Sequence, residues 1–178
     1  SGNAGISVAN QLTVDSTTGT TEAILFDSCV ASLSGLMAFD GVVSVGSGIG
    51  ASFSSAVVTI DQPVYFNGTA GTGTSAGLRV SDTLFNIVGT TLTLDGVGGS
   101  GGVAAKGVLI DATDNRFIGT GAAQVDILGN GGPLSGVGVE FSGSLTDVVL
   151  NIDGTGTGSG VQANRYGVDI KTIISDSS

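Results

Sequence analysis

The sequence predicts an all-β protein wound as a solenoid, its strands stacked coil over coil with three strands to a coil. Composition is the first reason: 32 of 178 residues are Gly, only two are Glu, and Val, Ile and Thr are plentiful. The helix formers Glu and Lys are nearly absent and β-branched residues abundant, which favours strands joined by turns. The second reason is a six-residue phrase that recurs seven times, and the third is a pair of further apolar runs between successive copies. Self-similarity at a period of this length marks a stacked repeat.

The phrase opens on a small residue and continues with alternating apolar positions. Its copies begin Gly5-Ile6-Ser7-Val8, Ala23-Ile24-Leu25-Phe26, Gly50-Ala51-Ser52-Phe53 and Gly77-Leu78-Arg79-Val80, then Gly107-Val108-Leu109-Ile110, Gly138-Val139-Glu140-Phe141 and Gly167-Val168-Asp169-Ile170. Starts are separated by 18, 27, 27, 30, 31 and 29 residues. The second and fourth residues are apolar throughout while the third varies, a period of two with one face inside. Stacked in register, the copies give two inward columns, from Ile6 through Ile24 to Val168 and from Val8 through Phe26 to Ile170. Phe26, Phe53 and Phe141 share the inward phase, so they are expected in the core. About six to seven coils of 27–31 residues would make one domain over residues 1–178, each coil adding ~4.8 Å.

The other two sides of the coil follow in order. After Gly77 come Leu84-Phe85-Asn86-Ile87 and Leu92-Thr93-Leu94-Asp95; after Gly107 come Arg116-Phe117-Ile118 and Val125-Asp126-Ile127-Leu128; after Gly138 come Leu145 to Val149 and Leu150-Asn151-Ile152-Asp153. Val57-Val58-Thr59-Ile60 fits either the second or the third side. Glycine-rich stretches of variable length close each coil, Gly68 to Gly73, Gly96 to Gly102, Gly129 to Gly132 and Gly154 to Gly160. Glycine is expected there for positive-φ turns.

With these repeats the chain resembles right-handed parallel β-helix proteins, the fold of pectate-lyase-like enzymes and of adhesin and autotransporter-type surface proteins. The resemblance runs over residues 5 to 172 and implies an inward apolar stack with variable corners. A β-sandwich is the competing architecture, since short strands with frequent turns also describe it.

Charge and residue types narrow function. The net charge is −10 with no His and five basic residues, which removes His-based metal and nucleophilic chemistry and disfavours phosphate backbones, so no nucleic-acid partner is expected. No apolar run is long enough to span a bilayer as a helix, and membrane insertion is not expected. A single Cys29 and an acidic, Lys-poor composition fit an extracellular or cell-surface protein.

No catalytic residue and no cofactor are expected. Glu140 and Asp169 fall on adjacent coils of one outward face, with Lys171 beside Asp169 and Arg79 two coils from Glu140. That pair is the candidate for oxygen ligation of Ca2+ or for acid–base work on a polysaccharide, against a solvated face of the solenoid. Asp15, Asp61, Asp95 and Asp153 each end an apolar run and read as turn caps. Neither end shows a capping helix, so apolar surface at Gly5, Ile6 and Val8 and at Val168, Ile170, Ile173 and Ile174 is left for other strands. The expected role is an extracellular structural subunit that assembles head to tail with itself. The alternative is a segment of a large bacterial adhesin, joined to adjoining solenoid repeats, whose glycine-rich loops contact a glycan or a host surface. A lyase or hydrolase is the third reading.

Overall fold

A computed structural model of the chain describes residues 3–19, 21–101, 105–111, 114–134, 136–157 and 166–176. For residues 3–16, 18, 175 and 176 only the backbone is described. The strands are β1 (Asn3–Thr18), β2 (Ile24–Asp27), β3 (Val30–Val43), β4 (Ala51–Ser54) and β5 (Val57–Ile60). They continue with β6 (Val64–Thr69), β7 (Leu78–Ser81), β8 (Leu84–Val88), β9 (Thr91–Val97) and β10 (Lys106–Ile110). The last five are β11 (Arg116–Thr120), β12 (Gln124–Asn130), β13 (Val137–Thr146), β14 (Val149–Thr155) and β15 (Val168–Asp176). All strand pairs are parallel, and there is no helix among the described residues. The protein is an all-parallel β-solenoid, and the sandwich alternative is excluded because sandwiches are antiparallel.

Three faces follow from the pairing. The first stacks β2, β4, β7, β10, the start of β13 and the start of β15. It aligns Ile24, Ala51, Leu78, Val108, Val139 and Val168 in one column and Phe26, Phe53, Val80, Ile110, Phe141 and Ile170 in the next. Those are the register partners that the repeated phrase predicts. The second face runs from the start of β1 through the start of β3, β5, β8 and β11 to the ends of β13 and β15. The third face stacks the end of β1, the end of β3, β6, β9, β12 and β14.

Three expectations are corrected by this layout. The copy at Gly5 lies on the second face, where Gly5 pairs with Ser32 and Ile6 with Leu33, while Val8 sits in the register shift between Ser7 and Gln11. Its spacing of 18 is two-thirds of a 27-residue coil, so it is one side out of phase with the other six. Six strands on the first face, with five steps between them, make about five turns rather than six to seven coils. Leu145–Val149 is not one run either, since Leu145 belongs to β13, which ends at Thr146, and Val149 opens β14. The Val57–Ile60 strand belongs to the second face, between β3 and β8.

The core is one column of side chains inside the coil. Phe53, Phe66, Phe85, Phe117 and Phe141 are fully buried, and each such side chain contributes ~1.5–3 kcal/mol. The rings touch from coil to coil: Phe26 stacks on Phe53 with centroids 5.0 Å apart, Phe39 on Phe66 at 4.7 Å, and Phe85 on Phe117 at 5.3 Å. Stacked and edge-on rings add to the burial energy.

Between the third face and the first, the glycines act through the absence of a Cβ. Gly41, Gly68, Gly96, Gly129 and Gly154 form one column, and each packs against the backbone of Gly50, Gly77, Gly107, Gly138 or Gly167. A Cβ on Gly50 would lie 2.6 Å from the Gly41 carbonyl oxygen, and one on Gly107 would lie 2.6 Å from that of Gly138. Among the described residues, the glycines with positive φ are Gly35, Gly46, Gly89 and Gly121, none of them in these two columns. Within the described residues of the glycine-rich stretches, close backbone approach thus replaces the expected positive-φ corners, while Gly102 and residues 158–160 lie outside the described residues. Left-handed turns do recur between the first and second faces, at Ser28, Ser55 and Asp82 with φ of 47°, 51° and 48°.

Candidate functional site

The first face carries the charged pairs. Glu140 and Asp169 are register partners, as expected, and Arg79 lies two coils from Glu140 with Leu109 between. Each carboxylate has its own lysine: Lys106 Nζ lies 3.1 Å from Glu140 Oε2, and Lys171 Nζ lies 2.7 Å from Asp169 Oδ2. The hydrogen bond to Asp169 holds the Lys171 ammonium above its usual range, and the nearby charges of Asp169 and Glu140 act in the same direction. Arg79 donates through Nε and Nη2 to Asp111 Oδ2 at 2.9 and 2.7 Å. Among the described residues no group of three or more His, Cys, Asp or Glu side chains is placed to hold a metal ion.

The third face is where strand phase gathers polar groups. Outward positions alternate with the inward Leu, Ile and Phe residues, so each strand of this face presents a few outward side chains, which stack into columns. One column reads Ala38, Tyr65, Thr93, Asp126 and Asn151; the next reads Asp40, Asn67, Asp95, Leu128 and Asp153. Asp95 and Asp153 are therefore strand residues in mid-face and not turn caps, and Asp15 pairs with Asp40 in the same column. Asp61 differs, lying in the bend after β5, where its Oδ2 accepts from Ser34 Oγ at 3.1 Å.

Hydrogen bonds tie these columns together. Asn67 Nδ2 donates to Asp40 Oδ1 at 2.6 Å. Asp126 is held from two sides, by Gln124 Nε2 at 2.7 and 3.0 Å and by Asn151 Nδ2 at 2.8 Å. Burial pushes the Asp95 carboxyl above the usual aspartate range, and a hydrogen bond from the Gly96 backbone offsets part of the rise. A shallow groove of about 330 Å3 runs between the two columns, with Tyr65, Asp126 and Leu128 on its walls and the nearly buried Thr93 in its floor. The candidate site residues expected from the sequence do not include Tyr65 or Asp126. Both sit between two inward residues, in Val64-Tyr65-Phe66 and Val125-Asp126-Ile127, and that pattern marks an outward strand position.

The glycine-rich loops spend their backbone groups on one another. Gly73 donates to the Gly46 carbonyl at 2.7 Å, Ser100 to that of Gly71 at 3.0 Å, and Gly132 to that of Ala105 at 3.0 Å. Thr157 Oγ1 bridges the carbonyls of Gly131 and Gly132 at 2.6 and 2.7 Å. The corner thus continues the coil-to-coil stacking beyond the strands.

At the far end, β15 pairs with β13 alone among the described residues. Inward-facing Ile170 is 51% exposed, whereas its register partner Phe141 is fully buried. Ile173 and Ile174 are exposed and Val168 is half-buried. At the other end Gly5 lies in β1 and the side chains of Ile6 and Val8 lie outside the described residues, while Phe26 on β2 is half-buried. Comparison with known proteins finds no matching family model, no matching curated protein and no matching solved structure.

Proposed function

We propose that the chain is a non-enzymatic, extracellular structural protein, a β-solenoid body that adds strands of a second copy at its terminal sheet edges and so grows head to tail into a fibre or surface filament. The single observation behind this reading is the exposure of Ile170. An inward core position left half open, on a strand bonded along one side, is a template for another parallel strand. β2 and β1 offer the opposite edge, each bonded to one partner among the described residues. A head-to-tail contact between unlike ends does not close on itself, so it propagates. Extracellular placement rests on the acidic, Lys-poor composition rich in Gly, Ser, Thr and Asp.

The same exposed edge favours a second reading, a segment of a larger adhesin or autotransporter-like solenoid in which adjoining repeats of one polypeptide cover Ile170. Negative-stain electron microscopy of the purified chain over a range of concentrations separates the two. Rods that lengthen with concentration, and that Ile170→Asp shortens to single particles, support the filament. Single particles of parent protein at every concentration would overturn it and leave the segment reading.

A further inference from the structure

We infer that the groove on the third face is a binding site for a neutral oligosaccharide lying along the solenoid axis. This rests on the surface-protein reading above but not on assembly, since the site is built within one chain. Tyr65, Thr93, Asp126 and Asn151 stand on four successive coils of one column. Three coil steps of ~4.8 Å give a run of ~14 Å, room for a short chain of sugar rings. The small, nearly buried Thr93 leaves the hollow between Tyr65 and Asp126, and Leu128 borders it from the next column. Its volume of about 330 Å3 lies at the small end of ligand sites.

The chemistry of the walls selects the ligand class. Tyr65 is 42% exposed and Leu128 38%, so the groove offers an apolar platform at one end and along one side. The electron-rich face of an aromatic ring attracts the C–H bonds on the flat side of a pyranose. At the other end Asp126, fixed by Gln124 and Asn151, presents carboxylate and amide groups whose remaining capacity matches paired sugar hydroxyls. Because the bonds from Gln124 and Asn151 already hold the Asp126 carboxylate in place, less ordering is left for binding to impose.

Charge sets the exclusion. The described third-face strands carry Asp15, Asp40, Asp95, Asp126 and Asp153 and no Lys or Arg. The described cations Arg79, Lys106 and Lys171 are engaged in ion pairs on the first face, and Arg116 lies on the second. An acidic sugar would meet carboxylates without a neutralising partner, so the groove discriminates against it.

Isothermal titration of the whole chain with linear neutral hexasaccharides of glucose, mannose and N-acetylglucosamine, and with oligogalacturonate, tests the assignment. At least one neutral probe binds, Tyr65→Ala weakens it tenfold or more, Tyr65→Phe keeps it, and oligogalacturonate does not bind. Tyr65 is an exposed side chain, so its loss leaves the fold intact, and an unchanged thermal melt of Tyr65→Ala verifies this. No binding by any neutral probe, binding unaffected by Tyr65→Ala, or equal binding of oligogalacturonate would each overturn the inference. None of these results bears on particle length, so the filament reading stands or falls separately.

Discussion

Substituting Gly96 by Ala places one methyl group where two coils meet. The new Cβ would sit 2.7 Å from the carbonyl carbon of Gly107, closer still to its oxygen, and 2.9 Å from Val108 Cγ2. Gly96 is buried in β9 and its backbone is held in register by Gly68 and Gly129 on either side, so the clash is with main chain that three coils fix in place. Overpacking of this kind costs ~1–3 kcal/mol, and backbone on the opposing side puts Gly96→Ala near the top of that range. Reduced freedom of the unfolded chain returns ~0.4–1 kcal/mol, leaving a net loss of about 2 kcal/mol. For a chain of this length that lowers Tm by about 4–8 °C. Circular dichroism melts and urea titrations measure it, with Gly19→Ala as the companion, because a Cβ at Gly19 meets nothing within 4 Å. If Gly96→Ala melts with the parent protein, the glycine column is not there for close approach and the reasoning fails.

Two further perturbations probe other parts of the coil. Asn115→Ala removes a buried acceptor 3.0 Å from the Thr83 amide, together with the donors to the Val80 and Ser142 carbonyls. Stranding a buried N–H costs ~1–3 kcal/mol, so the urea midpoint falls, and a midpoint equal to the parent's would contradict the role. Asp95→Asn tests the raised carboxyl. With its folded pKa above the ordinary aspartate value, the folded state holds more protons than the unfolded state across that window, so this group's contribution falls as pH rises through it and is unfavourable above. The variant is therefore the more stable at about pH 7, and the advantage vanishes towards about pH 3. A parent that is the more stable at neutral pH would reverse the sign and refute the assignment.

The stacking of the first face was legible because its phrase alternates strictly and because six copies share one phase. Ile24, Ala51, Leu78, Val108, Val139 and Val168 could be aligned from sequence because they follow the same small residue each time. The copy at Gly5 misled for a physical reason: alternation of apolar and polar residues is common to every face of a three-sided coil, and its spacing of 18 places it on the neighbouring side. Spacing, more than motif, carries the face assignment.

The third face was harder to read. Asp95 and Asp153 follow apolar residues and precede glycine, which is the pattern of a turn cap. Here, however, the glycine continues the strand, because Gly96 and Gly154 stand opposite another backbone and need no side chain. Tyr65 and Asp126 come together two coils apart, a relation set by register and invisible to any local motif. The ion pairs were foreseen in part: Lys171 with Asp169 follows from their positions two apart on one strand. Lys106 with Glu140 joins adjacent coils, where only the pairing of β10 with β13 brings them together.

Everything rests on parallel coils lying in register, and a double-cysteine experiment addresses that directly. Thr59 and Asn86 are Cα partners on the outward side of the second face, their side chains joined by a hydrogen bond of 3.4 Å. Neighbouring strands ~4.8 Å apart fall inside the Cα separation a disulfide accepts, whereas a partner two residues along lies ~8 Å away, beyond it. In a Cys29→Ser background, Thr59→Cys with Asn86→Cys closes a disulfide under mild oxidation, and Val57→Cys with Asn86→Cys does not. Closure of the second pair in place of the first would show that the coils do not stack as described.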